Sequence, residues 1–391
     1  MSNAQVVGVG MTKITKPGQQ EPYRVMASTA IKAAVADAGI DPALIEQAYA
    51  GYVYGDSCAG QHALYDAFMT GIPMVNVNNN CSTGSTALFL ARQAVESGAV
   101  ECALAFGFEE MQPGMLGSKW DDREMPMADS VMKRLHNWGY DLSFPAGASF
   151  GAAGHAYMEK YDAKPDIFAK VAVKSRNHAI NNPHSLFTTP LTEEDVSGSQ
   201  VVFMDWMTRF MCCPPSCGAG AAIVCSPAFA KKHGLKQGVE IAAQAMTTDN
   251  PDSYQDAMTL AGTDMTRRAA NAVYEKSGIS PEDVDVVELH DCFTPNEVVT
   301  YEGLQLCAEG GATEMILNGD NTYGGKYVVN PSGGLMSKGH PLGATGLLQC
   351  YELVNQLRGT ADKRQVEGAR IALQHNLGLG GAAVVTLYKA L

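Results

Sequence analysis

The sequence has no apolar run long enough to span a bilayer and no cationic segment leading into an apolar one at its start. Neither a membrane span nor an export signal is expected. Charge is sparse, at 18% of 391 residues, and positive charge is the scarcer sign, with 28 basic side chains against 41 acidic ones and a net charge of −13. Such a balance argues against nucleic acid or an anionic membrane as a partner. Paired CxxC spacing is missing. The densest cysteine group, Cys212-Cys213 with Cys217, has no histidine beside it, so no metal is expected. A phosphate loop is missing too. Gly8 and Gly10 open a dinucleotide pattern, but Lys13 stands where the third glycine belongs and no helix starts there. Lys389-Ala390-Leu391 is not the peroxisomal Ser-Lys-Leu. The ten cysteines therefore read as reduced thiols, and a cytoplasmic location is expected.

What is present is ample core material, 46% hydrophobic, in a length that predicts two or three units. One stretch stands out, VNVNNNCSTGSTALFLA at residues 75–91. Val75 and Val77 read as the end of a buried strand, and the run from Thr83 reads as a helix. Cys81 falls at the turn between them. There the helix dipole and unpaired N–H groups favour a thiolate, the state of a reactive cysteine.

An internal repeat gives Cys81 a partner. Residues 24–38 predict an amphipathic helix closed by Gly39, followed by Ile40-Asp41-Pro42 and a strand over 45–54. The same order returns as a helix over 266–277, then Gly278-Ile279-Ser280-Pro281, then a strand over 284–289. The segment from Cys81 to Leu88 aligns with that from His340 to Leu347, with glycine, threonine and leucine at equal offsets. If the halves pack about a pseudo-twofold axis, the two helix N-termini converge and bring His340 to Cys81. An imidazole beside a thiol is how a cysteine nucleophile is activated.

Two further segments complete the set. His290-Asp291-Cys292-Phe293 follows a strand directly, at the end where α/β proteins bind ligands. The segment 375–381, containing His375, Leu377, Gly378 and Gly380, reads as a glycine-rich turn between two strands. It is expected to aim backbone N–H groups at a developing oxyanion. Between the halves, residues 118–194 hold many aromatic and basic side chains without strand periodicity and read as an inserted lid. Residues 239–247 are expected to be the last strand of the first half.

NNNCSTGSTAL, HDCF, NPSGGLMSKGHPLGATG and QHNLGLGGAAVVTLYK together resemble the thiolases, most closely the sterol-carrier-protein type, over nearly the whole chain. The resemblance implies an α/β thiolase fold of two similar layered αβαβα halves with a loop domain inserted in the first. The expected units are 1–117 with 196–255, the loop domain 118–195, and the second half 256–391. No fused sterol-carrier domain is expected, because the sequence stops at the last thiolase strand.

The implied reaction is cleavage of a β-ketoacyl-CoA by coenzyme A, with Cys81 as nucleophile, His340 as its base and Cys292 as the second acid–base. His290 joins them at the oxyanion. Coenzyme A enters as co-substrate, and no permanently bound cofactor is expected. Arg123, Lys133, Arg134, Lys174 and Arg176 are candidates for its phosphates by analogy, and His155 for the pantetheine tunnel. A homodimer or homotetramer is implied, as is a bulky acyl group of lipid or sterol side-chain origin. Two other readings are a decarboxylating ketosynthase, against which Cys292 argues, and a non-thiolytic lipid-transfer or retro-aldolase subunit, against which Cys81 argues.

Overall fold

A computed structural model describes residues 3–112, 120 and 122–391 of the chain. Among the described residues ten strands form one sheet, and two more form a small hairpin. In chain order the strands are β1 (Gln5–Met11), β2 (Gln47–Gly51), β3 (Met74–Val77), β4 (Cys102–Glu109), β5 (Val201–Phe203), β6 (Met207–Thr208), β7 (Gly218–Cys225), β8 (Val239–Thr247), β9 (Val286–Glu288), β10 (Val328–Val329), β11 (Ile371–Gly378) and β12 (Ala382–Ala390). The large sheet runs β10-β9-β11-β12-β8-β1-β7-β4-β2-β3. It reads the same from its centre outward in both directions. β2 pairs in parallel with β3 and β4, as β9 does with β10 and β11. β7 pairs antiparallel with β4 and β1, as β12 does with β11 and β8. Within the sheet the halves are joined by two residue pairs, Gln5 with Glu240 and Val6 with Val239.

The local signals behind the repeat are capping signals, and they sit where the sequence puts them. Gly39 and Gly278 close their helices with φ of 67° and 68°, the left-handed conformation that glycine adopts without Cβ strain. Asp41 and Ser280 then cap short 3-10 turns that start on proline.

The helices Thr83–Glu96 and Thr345–Arg358 pack on each other, and the second touches strands of both halves. They form the middle layer of five. The helix Tyr23–Ala38 covers β1 and β7 on one outside face, and Thr263–Ser277 covers β8 and β12 on the other. Where the middle helices begin, backbones nearly touch. A Cβ on Gly343 would lie 2.7 Å from the Gly51 carbonyl and from Tyr52 Cα.

Three differences from the sequence reading have physical causes. β3 is the outermost strand of its half, and Val75 is 41% exposed; an edge strand has no neighbour to bury it. β8 pairs over eight residues with β12 and over two with β1. That argues for drawing the boundary between halves before Val239 rather than after 255. The β5–β6 hairpin packs through Phe203 against Gly151 of the helix Pro145–Tyr161, which argues for a loop domain continuing past 195. The boundary at 117/118 lies outside the described residues.

Candidate active site

The turn that carries Cys81 is built by its asparagines. Asn80 adopts φ 50°, a conformation asparagine tolerates better than other side chains with a Cβ. Its Nδ2 donates to the Leu379 carbonyl at 2.8 Å. The Asn79 carbonyl accepts from Ser82 Oγ at 2.8 Å, and the Asn79 amide donates to Thr83 Oγ1 at 2.9 Å. Asn78 Oδ1 accepts from the Asn80 amide. Cys81 therefore sits on a turn whose polar groups are satisfied locally, just ahead of the helix starting at Thr83.

Gly378 closes the other side. A Cβ there would press on the Asn79 carbonyl and stand 2.7 Å from Ser82 Oγ. Gly378→Ala is expected to displace the turn, costing about 1–3 kcal/mol in denaturant unfolding. Because a misplacement on the order of 1 Å costs about 10²-fold in rate, activity should fall by about that factor. Unchanged stability and rate would contradict the close approach.

His340 reaches the same point from the second half. Its backbone bridges to Pro215, and its amide donates to Ser216 Oγ at 3.0 Å. Nδ1 lies 2.7 Å from Thr345 Oγ1, a hydroxyl that donates to the Pro341 carbonyl. A hydroxyl has one proton, so Nδ1–H is the donor to Thr345. Nε2 is then a bare lone pair, and it is buried with no hydrogen-bond partner among the described residues. His290 stands edge-on to it, ring centroids 5.0 Å apart. One ligating atom each from Cys81, His290 and His340 lies within 4.8 Å of the others.

Cys292 completes the group. Its carbonyl accepts from the Cys213 amide at 2.8 Å, next to the bridge between Cys212 and Phe293. Phe293 stacks on Phe150, centroids 5.1 Å apart. Burial pushes the Cys292 thiol far up, helped by Cys213, Cys81 and Asp291. A thiol that keeps its proton suits an acid.

Burial also sets the resting state of the other groups. It pushes Cys81 up to about 12, with Glu109 adding to the rise and the N–H groups of Leu379 and Cys81 opposing it. It holds His340 down at about 3 and His290 well below the usual imidazole range. This corrects the expectation of a thiolate held by the helix terminus. In the free site desolvation outweighs the two N–H groups, and thiol and imidazole both rest neutral.

Asp291 behaves in the opposite way. Burial and the neighbouring Glu297 raise it to about 8, against the pull of the Leu335 amide. The folded protein therefore binds a proton there that the unfolded chain releases near pH 4. Its stabilising contribution is complete below that pH and is lost as pH rises through about 8. Wild type should lose stability relative to Asp291→Asn by about 1.4 kcal/mol per pH unit between about pH 4 and pH 8 and level off above it. Urea midpoints of the two proteins that stay parallel from about pH 5 to about pH 8 would contradict the shift.

The other sequence candidates divide clearly. His375 is fully buried behind the site. Its Nε2 meets Thr266 Oγ1 at 2.9 Å and its Nδ1 accepts from the His290 amide at 3.5 Å, so it supports His290 and presents no group to an oxyanion. Leu377 packs into the core. The strand continues to Gly378 where a turn is expected from His375; beyond it Leu379 lies against Cys81, and Gly380 lies beside Met127. Lys174 is no phosphate ligand, because it is buried in an ion pair with Glu297. Arg176 lies over the Phe187 ring. Arg123 pairs with Asp122, Lys133 with Asp129, and Arg134 folds over Tyr254. His155 meets Tyr140 at 3.2 Å. None of these contacts joins them to the Cys81 group.

Two residues escaped the sequence reading. Glu109 is buried and accepts from the amides of Val53, Tyr54 and Gly343 at 2.9–3.1 Å, tying the His340 turn to the first half. Asn376 donates to the Cys81 carbonyl and to His290 Nδ1, each at 3.0 Å. The alternation of β11 was its available signal, since Asn376 and His375 must face opposite ways.

Two family models cover most of the chain, "Thiolase, N-terminal domain" over residues 4–211 and "Thiolase C-terminal domain-like" over 244–388. The chain is 54% identical to sterol carrier protein 2 of Oryctolagus cuniculus, over 98% of this chain and 71% of that one. It is 33% identical to acetyl-CoA acetyltransferase of Methanothermobacter thermautotrophicus over the full length of both. Among solved structures, the Ltp2-ChsH2(DUF35) aldolase matches with TM-score 0.84 at 24% identity, covering 100% of this chain and 98% of that one. Human mitochondrial 3-ketoacyl-CoA thiolase matches with TM-score 0.72 at 19% identity, covering 100% and 99%.

Proposed function

The chain belongs to the thiolase family, and on that premise we propose that it is an acyl-CoA C-acyltransferase cleaving β-ketoacyl-CoA with coenzyme A. One observation carries the reading: a nucleophile, a base with a bare lone pair and a second imidazole converge within 4.8 Å, with a protonated thiol close by.

His340 Nε2 takes the Cys81 proton as the keto carbon of the substrate comes within reach. The sulfur adds to that carbon, and His290 with the N–H groups of Leu379 and Cys81 receives the oxyanion. Collapse breaks the carbon–carbon bond. Cys292 gives its proton to the departing enolate carbon, leaving the Cys81 thioester, a Cys292 thiolate and an imidazolium at His340. Cys292 then takes the thiol proton of incoming coenzyme A, whose sulfur captures the acyl group. His340 returns its proton to Cys81, and every proton is accounted for.

Acetyl- or propionyl-CoA leaves first and the shortened acyl-CoA second. The similarity to a sterol carrier protein supports a lipid or sterol side-chain substrate. A homodimer or homotetramer in the cytoplasm is the proposed working form. The phosphates of coenzyme A remain assigned to the loop domain, where Arg123 and Lys133 are exposed and Arg134 is half-buried.

The test is coenzyme A-dependent loss of acetoacetyl-CoA and of a 2-methyl-branched β-ketoacyl-CoA. Turnover of either supports the assignment, and the ratio reports on the pocket. No turnover of either, together with retro-aldol cleavage, would move the chain to the aldolase reading.

A further inference from the structure

We infer that Asn376 is a positioning residue that fixes the tautomer of His290, so that its Nε2–H faces the reacting atoms as a donor. The inference rests on the acyl-transfer reading only for its purpose; the tautomer follows from the hydrogen bonds alone.

The argument starts from groups that can only accept. The Gly346 carbonyl takes a hydrogen bond from Gln374 Nε2 at 2.7 Å, and Tyr388 Oη donates to Gln374 Oε1, so the Gln374 amide has one orientation. Its Nε2 also donates to Ser85 Oγ at 2.9 Å, and Ser85 therefore spends its single proton on Asn376 Oδ1, at 2.9 Å. That places Asn376 Nδ2 towards the Cys81 carbonyl, which again can only accept, and towards His290 Nδ1. Facing an N–H, Nδ1 must be the unprotonated nitrogen. A neutral imidazole carries one proton, so it sits on Nε2. The side chains of Ser85, His290, Gln374, Asn376 and Tyr388 are all buried, and the reversed order would set Asn376 Oδ1 against the Cys81 carbonyl oxygen.

The consequence is a division of labour between two neighbouring imidazoles. His340 offers a lone pair and His290 offers a proton. The same assignment keeps the Cys81, His290 and His340 group from acting as a metal trap. A metal needs the Nε2 lone pair of each histidine, and a histidine binds metal well when its other nitrogen donates to a partner such as a carboxylate. Asn376 gives His290 the opposite partner.

The experiment uses full-length protein labelled with ¹⁵N-histidine, with the His290 signals identified by their loss in His290→Gln. Long-range ¹H–¹⁵N spectra of wild type are expected to show the Nε2–H tautomer. In Asn376→Asp the carboxylate should draw the proton to Nδ1. Zn²⁺, titrated against a chromophoric chelator, should then bind about ten- to a hundredfold more tightly than to wild type. That gain should vanish when Cys81→Ala is added. An Nδ1–H signal in wild type would overturn the inference, as would an Asn376→Asp protein with unchanged tautomer and Zn²⁺ affinity. If Asn376→Asp does not fold, Asn376→Ala serves, with a mixture of tautomers expected and an unmixed Nε2–H signal contradicting. Loss of the thiolysis reading would leave these spectra unaffected, and an overturned tautomer would leave open whether Cys81 carries the acyl group.

Discussion

Cys81→Ala is expected to lower kcat for thiolysis by about four to six orders of magnitude, the range seen when a covalent nucleophile is removed. The effect is large because the two half-reactions share this one sulfur. Without it no thioester forms, and neighbouring thiols cannot take over. Cys213 and Cys292 are held protonated by desolvation as Cys81 is, but the bare lone pair of His340 belongs to the Cys81 group. The fold should survive, since the turn is held by Asn79, Asn80, Ser82 and Thr83. Circular dichroism and the unfolding midpoint should match wild type. A residual rate within about a hundredfold of wild type would contradict the assignment, because that loss is within reach of a positioning defect.

Cys292→Ala is expected to lower kcat by about two to four orders of magnitude, the usual worth of one general acid–base. Its pattern should differ from that of Cys81→Ala. Both half-reactions need a proton moved by Cys292, yet Cys81 remains able to attack, so slow acylation of Cys81 should persist. Decarboxylative condensation makes its carbanion without an acid at this position. A variant that keeps full thiolysis would remove Cys292 from the mechanism, and one in which malonyl-dependent condensation is unaffected while wild type shows no thiolysis would favour the ketosynthase reading. Rates with and without free coenzyme A separate the outcomes.

The repeat made the central pair legible. Gly39 and Gly278 mark equal helix ends, and the alignment of Cys81 with His340 put two chemical groups at equivalent helix starts. His290 and Cys292 were legible because a short buried strand ends immediately before them. What stayed hidden depends on packing across the chain. Lys174 looked like a surface cation, yet its partner Glu297 lies 123 positions away and no local pattern announces it. The rise of Cys81 reflects desolvation by both halves, which no local feature of the nucleophile turn reports. In the segment 375–378 an imidazole drew attention that belonged to the amide beside it. The strand continues to Gly378, and its pleat turns Asn376 to the site and His375 away.

The most direct measurement of the central claim is peptide mass analysis after acid quench, with wild type mixed with a β-ketoacyl-CoA in the absence of free coenzyme A and then chased with it. The acyl mass should appear on the peptide containing Cys81 and leave as acyl-CoA during the chase. An acyl group on another residue, or one on Cys81 that coenzyme A does not remove, would contradict acyl transfer through this thiol.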